Sequence, residues 1–199
     1  FFVRVLDQYG NAVNSGPTVV SLSTTANTLG ATTTGTTSVE TTTGVATFND
    51  VRVTQAAQGV RLVASVAGLP TVESSAINIY GPPASIVVIS QPTSGIRNLV
   101  LTPPLVVELR DVLGNPALGQ SPTVTAAIDN GSGPGLLSGT LSKQATGATA
   151  RVSFDDLRVD SAGATHRIRV QTAGAADGVS ANIAVAGFGA ATALRYVQG

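Results

Sequence analysis

The sequence contains no cysteine, methionine or tryptophan, and only 11% of its 199 residues are charged. The absence of cysteine excludes disulfide bonds, thiolate metal sites and a cysteine nucleophile. Eleven basic residues balance eleven acidic ones. The chain therefore has no broad cationic face for phosphate backbones, and nucleic-acid binding is not expected. No apolar run approaches the roughly 20 residues of a membrane-spanning helix, so membrane insertion is not expected either.

The residues that are abundant favour β-structure. Apolar residues make up 43% of the chain but aromatic ones only 4%, and there are 22 glycines and 10 prolines. Such a composition is typical of short strands with a Val, Ile, Leu and Ala core, joined by turns. We therefore expect an all-β fold with no long helix. Because no initiator methionine is present, we also expect these residues to be part of a longer protein.

A motif of the sequence occurs twice. The stretch VRVLDQYGNAV at residues 3–13 returns as VELRDVLGNPAL at 107–118, and GVATFNDVRV at 44–53 returns as ATARVSFDDLRV at 148–159. The period of 104 to 106 residues is the size of one immunoglobulin-type sandwich. In each copy a strand with period-two alternation runs into a turn in which Asp accepts backbone N–H bonds and Gly supports positive φ. The predicted turn residues are Asp7, Gly10, Asn11, Asp111, Gly114 and Asn115.

The phase of the repeat predicts three segments. Residues 83–187 form a complete module, whose first strand is ASIVVISQP at 84–92, and residues 1–82 form a module without that strand. The last segment, 188–199, contains ATALRYVQG, which matches ASIVVISQP and is predicted to be the first strand of a following module. The predicted fold is therefore two tandem immunoglobulin-like antiparallel β-sandwiches and an extended tail.

The order of these motifs resembles the bacterial immunoglobulin-like repeats of invasin- and intimin-type surface proteins. The resemblance rests on the D-x-x-G-N turn, the following P-T-V and the G-x-A-x-F-x-D segment, and it covers both copies. It implies an extracellular or cell-surface location and a role as a spacer or adhesive module. One departure is that a position which is often Tyr in that family is Val60 in one copy and His166 in the other.

Residues that could carry chemistry are few. His166 is the only histidine, and its match to Val60 favours a partly exposed strand position over a catalytic base. Asp50 and Asp156 could belong to a calcium site. The spacing to Arg52 and Arg158 instead favours charge pairs on the solvent face of a strand. No serine lies in a G-x-S-x-G motif, so we expect neither an enzyme nor a cofactor.

Sites for carbohydrate are also weakly indicated. The Thr-rich segment 21–44 is predicted to form strands with a flexible loop, with O-glycosylation as the alternative. Asn130-Gly131-Ser132 fits the N-glycosylation pattern, but Asp-Asn-Gly is first a turn signal. The three Tyr and five Phe residues, several of them at apparent core positions, leave few exposed aromatics for stacking on a sugar.

The predicted function is structural: a repeat module of a long extracellular fibre or adhesin stalk. Its predicted partners are neighbouring copies, assembled head to tail. In this arrangement the C-terminal strand completes the first module of the next unit, either by covalent continuation through a further loop or by donation between separate chains. Leu194 and Tyr196, matched to Val87 and Ile89, are predicted to face inward. The inter-module strand residues are Ala191, Leu194, Arg195, Tyr196 and Val197. The alternative function is an immunoglobulin-like adhesion module that binds a glycan or a host protein.

Overall fold

The structure is a computed structural model that describes residues 1–14 and 16–189. Within them every regular element is a β-strand, and most pairings are antiparallel, which confirms the predicted all-β class. None of the described residues forms a helix long and apolar enough to cross a membrane. The chain divides into two compact units: unit 1 is Phe1–Gly81, and unit 2 begins at Pro82. This boundary lies one residue before the one expected from the repeat.

The described part of unit 1 contains ten strands, all of them short. They are β1 (Phe2–Arg4), β2 (Val19–Thr24), β3 (Thr33–Thr34), β4 (Ser38–Glu40), β5 (Val45–Thr47), β6 (Arg52–Val53), β7 (Ala57–Val60), β8 (Leu62–Ser65), β9 (Val72–Glu73) and β10 (Ile77–Ile79). Four of them form a sheet in the order β4-β2-β8-β9. The others pair as β1-β5, β7-β10 and β3-β6.

Unit 2 contains twelve strands within the described residues. They are β11 (Ser85–Ser90), β12 (Ser94–Ile96), β13 (Leu105–Arg110), β14 (Thr123–Ile128), β15 (Leu137–Ser138), β16 (Ser142–Gln144), β17 (Arg151–Phe154), β18 (Arg158–Val159), β19 (Gly163–His166), β20 (Ile168–Gln171), β21 (Gly178–Val179) and β22 (Ile183–Ala186). The sheets have the orders β16-β14-β20-β21, β11-β13-β17, β12-β22-β19 and β15-β18. The β12-β22 pair is parallel.

The alternation of buried and exposed residues along the strands shows which of their faces form the core of unit 2. In β14, Val124 and Ala126 are buried and their neighbours point outward, and β17 and β22 alternate in the same way. Because successive side chains of a strand point to opposite faces, these strands present one apolar face each. The inward residues join in a single cluster that includes Phe154, Leu157 and Ile168.

The ten strands of unit 1 recur in the same order in unit 2, 104 to 106 residues later. β1 corresponds to β13, β9 to β21 and β10 to β22, so each unit 1 sheet has a counterpart. The two strands of unit 2 without a counterpart among the described residues of unit 1 are β11 and β12. The sheet that is β11-β13-β17 in unit 2 is therefore only β1-β5 in unit 1.

Candidate functional site

An open groove lies in unit 1, between β1 and β9. It consists of two volumes of about 520 and 350 Å³ that share several lining residues. The walls are mostly apolar, and the lining residues are Phe1, Phe2, Val3, Arg4, Val5, Leu6, Val20, Leu22, Leu62, Ala64, Val66, Leu69, Pro70, Val72, Glu73, Ser74 and Ile77. We call this feature the open groove.

Several apolar side chains along the open groove are exposed. The exposed fraction is 61% for Phe2, 51% for Leu6, 49% for Leu69 and 65% for Val72. One edge of β1 pairs with β5, and no described strand pairs with its other edge. An unpaired edge beside apolar side chains is a template for the addition of another strand.

The equivalent place in unit 2 is filled by β11. This strand pairs antiparallel with β13, so that Ile86 lies opposite Leu109. On its other side, the Ile86 N–H donates to the Ala176 carbonyl at 3.1 Å, and the Ala176 N–H donates to the Ala84 carbonyl at 2.9 Å. The strand thus connects the two layers of the sandwich. By the repeat, Val5 and Pro70 stand where Leu109 and Ala176 stand in unit 2, so the open groove has the position of a β11-like strand.

The side chains of β11 show which positions of this strand face the core. Ile86 is 6% exposed and Val88 packs against the core, whereas Ile89 is 42% exposed. The positions of Val87 and Ile89, to which Leu194 and Tyr196 were matched, are therefore not the inward ones. An alignment shifted by one residue instead matches Leu194 and Tyr196 to Ile86 and Val88, the inward positions of β11.

The tail residues themselves lie outside the described residues. This applies to all members of the predicted inter-module strand, namely Ala191, Leu194, Arg195, Tyr196 and Val197. Their place in the assembly stays a prediction.

The predicted turn residues form a pair of matching turns at the ends of β1 and β13. In unit 1, Asp7 accepts the N–H of Tyr9 and of Asn11 through Oδ1, both at 2.9 Å, and φ of Gly10 is 84°. The hydrogen bond from the Asn11 backbone is the largest of several that lower the pKa of Asp7. These contacts fix the direction in which the chain leaves β1.

The turn after β13 has the same geometry. Asp111 accepts the N–H of Leu113 at 2.9 Å and of Asn115 at 3.0 Å. Gly114 has φ of 81°, a conformation that favours glycine over residues with a side chain. Asp111 is 2% exposed, so this turn is part of the packed unit. Asp7 and Asp111 thus each accept two backbone N–H groups within their own turn.

The prediction that His166 is partly exposed is wrong. The side chain is 0% exposed, and neither ring nitrogen has a hydrogen-bond partner among the described residues. It packs so closely against two glycines that a Cβ at Gly133 or Gly163 would lie 2.8 Å from a ring nitrogen. The equivalent Val60 is 1% exposed, so the position belongs to the core in both units.

Within the described residues neither predicted charge pair forms a close ion pair, although the charge of Arg52 is one of the causes that lower the pKa of Asp50. Asp50 accepts the backbone N–H and the hydroxyl of Thr36, both at 3.0 Å, and within the described residues no arginine forms an ion pair with it. Asp156 does the same with Thr140, at 2.9 and 2.7 Å. The Thr36 backbone bond lowers the pKa of Asp50, and the Thr140 hydroxyl lowers the pKa of Asp156. Both carboxylates hold a loop in place.

No group of three or more potential metal-ligating side chains occurs among residues 1–14 and 16–189. The Asn130-Gly131-Ser132 segment is a turn: φ of Gly131 is 77°, and the buried Ser132 hydroxyl donates to the Asp129 carbonyl at 2.6 Å. The Thr-rich segment 21–44 includes most of β2 and all of β3 and β4.

Exposed aromatic side chains are more numerous than the sequence suggested. The side chains of Phe1, Phe2, Tyr9, Tyr80 and Phe188 are all more than 40% exposed, while Phe48 and Phe154 are buried. Phe1 stacks on Phe48, with ring centroids 5.4 Å apart. Two of the exposed rings, Phe1 and Phe2, line the open groove.

The sequence analysis did not identify the residues on the β9 side of the open groove, above all Val72 and Pro70. The signal was available in the repeat, because Val72 matches Gly178 and an apolar side chain in one copy replaces a glycine in the other. Periodicity does not show that such a residue borders a groove.

No protein-family model and no curated protein matches the sequence. Solved structures do resemble it. Domains 4–9 of the surface layer protein SbsC align with 94% of this chain at 15% identity and a TM-score of 0.46. The Yersinia pseudotuberculosis adhesin InvE aligns with 92% at 16% identity and a TM-score of 0.38.

A C-terminal fragment of intimin, solved with the intimin-binding domain of its translocated receptor, aligns with 92% of this chain at 13% identity and a TM-score of 0.30. The chain spans a quarter of the SbsC structure and about half of the InvE and intimin structures. An adhesin and intimin are thus among the similar structures.

Proposed function

We propose that this chain is a structural segment of a long extracellular fibre or cell-surface adhesin stalk, in which copies join head to tail by strand addition. In this proposal residues 191–199 of one copy enter the open groove of unit 1 in the next copy. The cell-surface location is proposed on the resemblance of the repeat to invasin- and intimin-type modules.

The observation that carries the proposal is the difference between the two units at one equivalent place. In unit 2 a strand, β11, joins β13 to the segment before β21, while in unit 1 that place is the open groove. A strand that enters it would pair antiparallel with β1 and run beside β9. Pro70, at the place of Ala176, can accept a hydrogen bond from this strand through its carbonyl but has no N–H to donate. Backbone hydrogen bonds would give the joint its direction, and alternate side chains would fill the groove.

The shifted alignment gives the tail a suitable pattern. Leu194 at the position of Ile86 would lie beside Val5, and Tyr196 at the position of Val88 would lie beside Val3, near the larger volume of about 520 Å³. Arg195 would face solvent. Burial of two such side chains contributes about 3–6 kcal/mol before the cost of ordering the tail. Because donor and acceptor are different surfaces, the assembly would be open rather than closed.

The test is the state of association of the full chain as its concentration rises, measured by analytical ultracentrifugation. We expect a ladder of linear oligomers for the unmodified chain and a monomer for Leu194→Asp, since a carboxylate cannot enter an apolar groove without a large cost. Arg195→Ser, at the outward position, is the matched control and should still assemble. A monomeric unmodified chain, or equal assembly by Leu194→Asp, would refute head-to-tail strand addition.

The alternative, an adhesion module for a glycan or host protein, has one observation in its favour: the five exposed aromatic side chains. Exposed rings suit stacking on a sugar face. Of these, Tyr9 is 80% exposed and lies outside the open groove. Binding on a glycan array that is lost on Tyr9→Ala would support this function over the structural one.

A further inference from the structure

We infer that Val72 makes the open groove selective, so that it accepts a strand whose residue at the first inward position is not branched at Cβ. This inference rests on the proposed function, because it describes which strand the groove takes up. It assigns a specificity-determining residue to unit 1 and explains how a neighbouring copy's tail is distinguished from β11.

The first step is the contact between β11 and β21 in unit 2. Gly178 is buried, and a Cβ added to it would lie 2.8 Å from Cγ2 of Ile86 and 3.0 Å from the Ile86 carbonyl oxygen. The nearest of these atoms, Cγ2, is the methyl group that branches from Cβ of isoleucine. A β-branched residue fits here because the residue facing it is glycine.

Unit 1 has no glycine at this place. The repeat puts Val72 in the position of Gly178, and Val72 borders both volumes of the open groove. Its Cβ alone would occupy the space that the Ile86 Cγ2 methyl needs in unit 2, and its own methyl groups extend further. A strand carrying isoleucine or valine at this inward position would therefore overlap with Val72.

Leucine avoids this overlap, because it branches at Cγ and has a single carbon atom attached to Cβ. The χ1 rotamer can then direct that carbon away from Val72. In the shifted alignment the tail places Leu194 at this position. The contacts with the Ile86 carbonyl oxygen at 3.0 Å and with its Cβ at 3.1 Å would remain for leucine too, so the added strand lies slightly farther from Val72 than β11 lies from Gly178. The contact that is specific to a β-branched residue is the one with Cγ2 at 2.8 Å.

The consequence is discrimination between two similar strands of the same chain. A β11 segment released from unit 2 of one copy would present Ile86 to Val72 of another copy and would be rejected. The tail would be accepted. A steric element directed against the wrong strand is a common means of specificity, and here it would prevent domain swapping of β11 between copies.

The experiment uses the full chain with Leu194→Asp as the acceptor, since its own tail then cannot compete for the groove. Two fluorescent nonapeptides are titrated into it and binding is followed by anisotropy. One has the tail sequence ATALRYVQG, and the other carries Leu194→Ile, a change that alters neither volume nor composition. We expect the tail peptide to bind about tenfold more tightly than its isoleucine variant.

The acceptor substitution Val72→Gly should remove this difference, because it restores the glycine that unit 2 has at the same place. Val19→Gly, a half-exposed strand valine outside the open groove, is the matched control and should keep the preference for leucine. A β11 peptide, ASIVVISQP, should bind the Val72→Gly acceptor better than the Val72 acceptor.

The outcomes separate the two proposals. If both tail peptides bind the Val72 acceptor equally, or if Val72→Gly strengthens both equally, the selectivity inference is wrong and strand addition stands. If no peptide binds any acceptor, strand addition itself is wrong, and the selectivity inference is wrong as well.

Discussion

At the scale of single residues, the most informative position is the one occupied by Val60 in unit 1 and His166 in unit 2. Both side chains are buried, but within the part of the chain that the structure describes the imidazole has no hydrogen-bond partner for either nitrogen. A buried polar group without a partner costs free energy of folding. The two glycines that pack against His166 show how unit 2 makes room for the larger ring.

We predict that His166→Val stabilises unit 2 by about 1 kcal/mol, because removing an unpaired imidazole gains somewhat more than the small cavity left behind costs. The measurement is the free energy of unfolding of unit 2 in urea. The reciprocal change Val60→His should destabilise unit 1, where Ala57 has the Cβ that Gly163 lacks and would collide with the ring. A loss of stability on His166→Val would contradict this account of the site.

At the scale of elements, two aspartates each hold the loop before a neighbouring strand. Asp156 follows β17 and receives the N–H and hydroxyl of Thr140, which lies between β15 and β16. Asp50 and Thr36 repeat this arrangement in unit 1. The same two-point contact in both units shows that it belongs to the module rather than to one copy.

This contact makes stability depend on pH in a defined direction. The Thr140 hydroxyl lowers the pKa of Asp156 below its ordinary value of 3.8. The contribution to folding is therefore complete above the unfolded-state pKa and is lost as the pH falls through the lower, folded-state pKa. We predict that in Thr140→Val the free energy of unfolding of unit 2 falls less steeply as the pH is lowered. The reason is that valine keeps the shape of threonine but has no hydroxyl to donate.

Unfolding in urea at a series of pH values between neutral and strongly acidic conditions measures this slope. Thr149→Val, at an exposed threonine of the same unit, is the control and should leave the slope unchanged. An unchanged slope in Thr140→Val would show that the hydroxyl does not control the acid response.

The elements also show what the sequence could predict. Repeats and turn residues depend on neighbours close in the chain, so the Asp7 and Asp111 turns were predictable from D-x-x-G-N. The burial of His166 was not, because β19 has a register shift between Gly163 and His166. Its counterpart β7 buries Ala57 and Val60, three residues apart. A bulge of this kind breaks the period-two pattern on which facing was predicted.

The partners of Asp50 and Asp156 were unpredictable for a different reason. Each lies 14 or 16 residues away in sequence and comes close only when the sheets have formed. The adjacent arginines were the nearest opposite charges in the sequence, but side chains at i and i+2 of a strand share a face without needing to touch. The missing strand predicted an exposed sheet edge and an apolar groove in unit 1, but not the side chains that border this groove, because the repeat alone does not show packing.

At the scale of the whole molecule, the two units differ in how completely they are packed. Among the described residues, unit 2 has one core cluster of eighteen buried apolar residues. In the described part of unit 1, eight of the nine buried apolar residues form two clusters, of five and three, and the open groove borders the larger one. Because burial of apolar surface is the main source of folding stability, unit 1 alone should be the less stable of the two.

We predict two unfolding transitions in urea for the Leu194→Asp chain, in which no tail can fill the groove, and we assign the first to unit 1. Phe48 and Phe154 occupy matching places and are 2% and 1% exposed, so they form a matched pair of probes. Replacing a buried Phe by Ala costs about 3–5 kcal/mol. Phe48→Ala should therefore abolish the first transition. Phe154→Ala should lower the urea midpoint of the second transition only.

Hydrogen exchange read by mass spectrometry assigns each transition to its residues. A single cooperative transition, or a first transition that moves with Phe154→Ala, would show that the units do not fold independently.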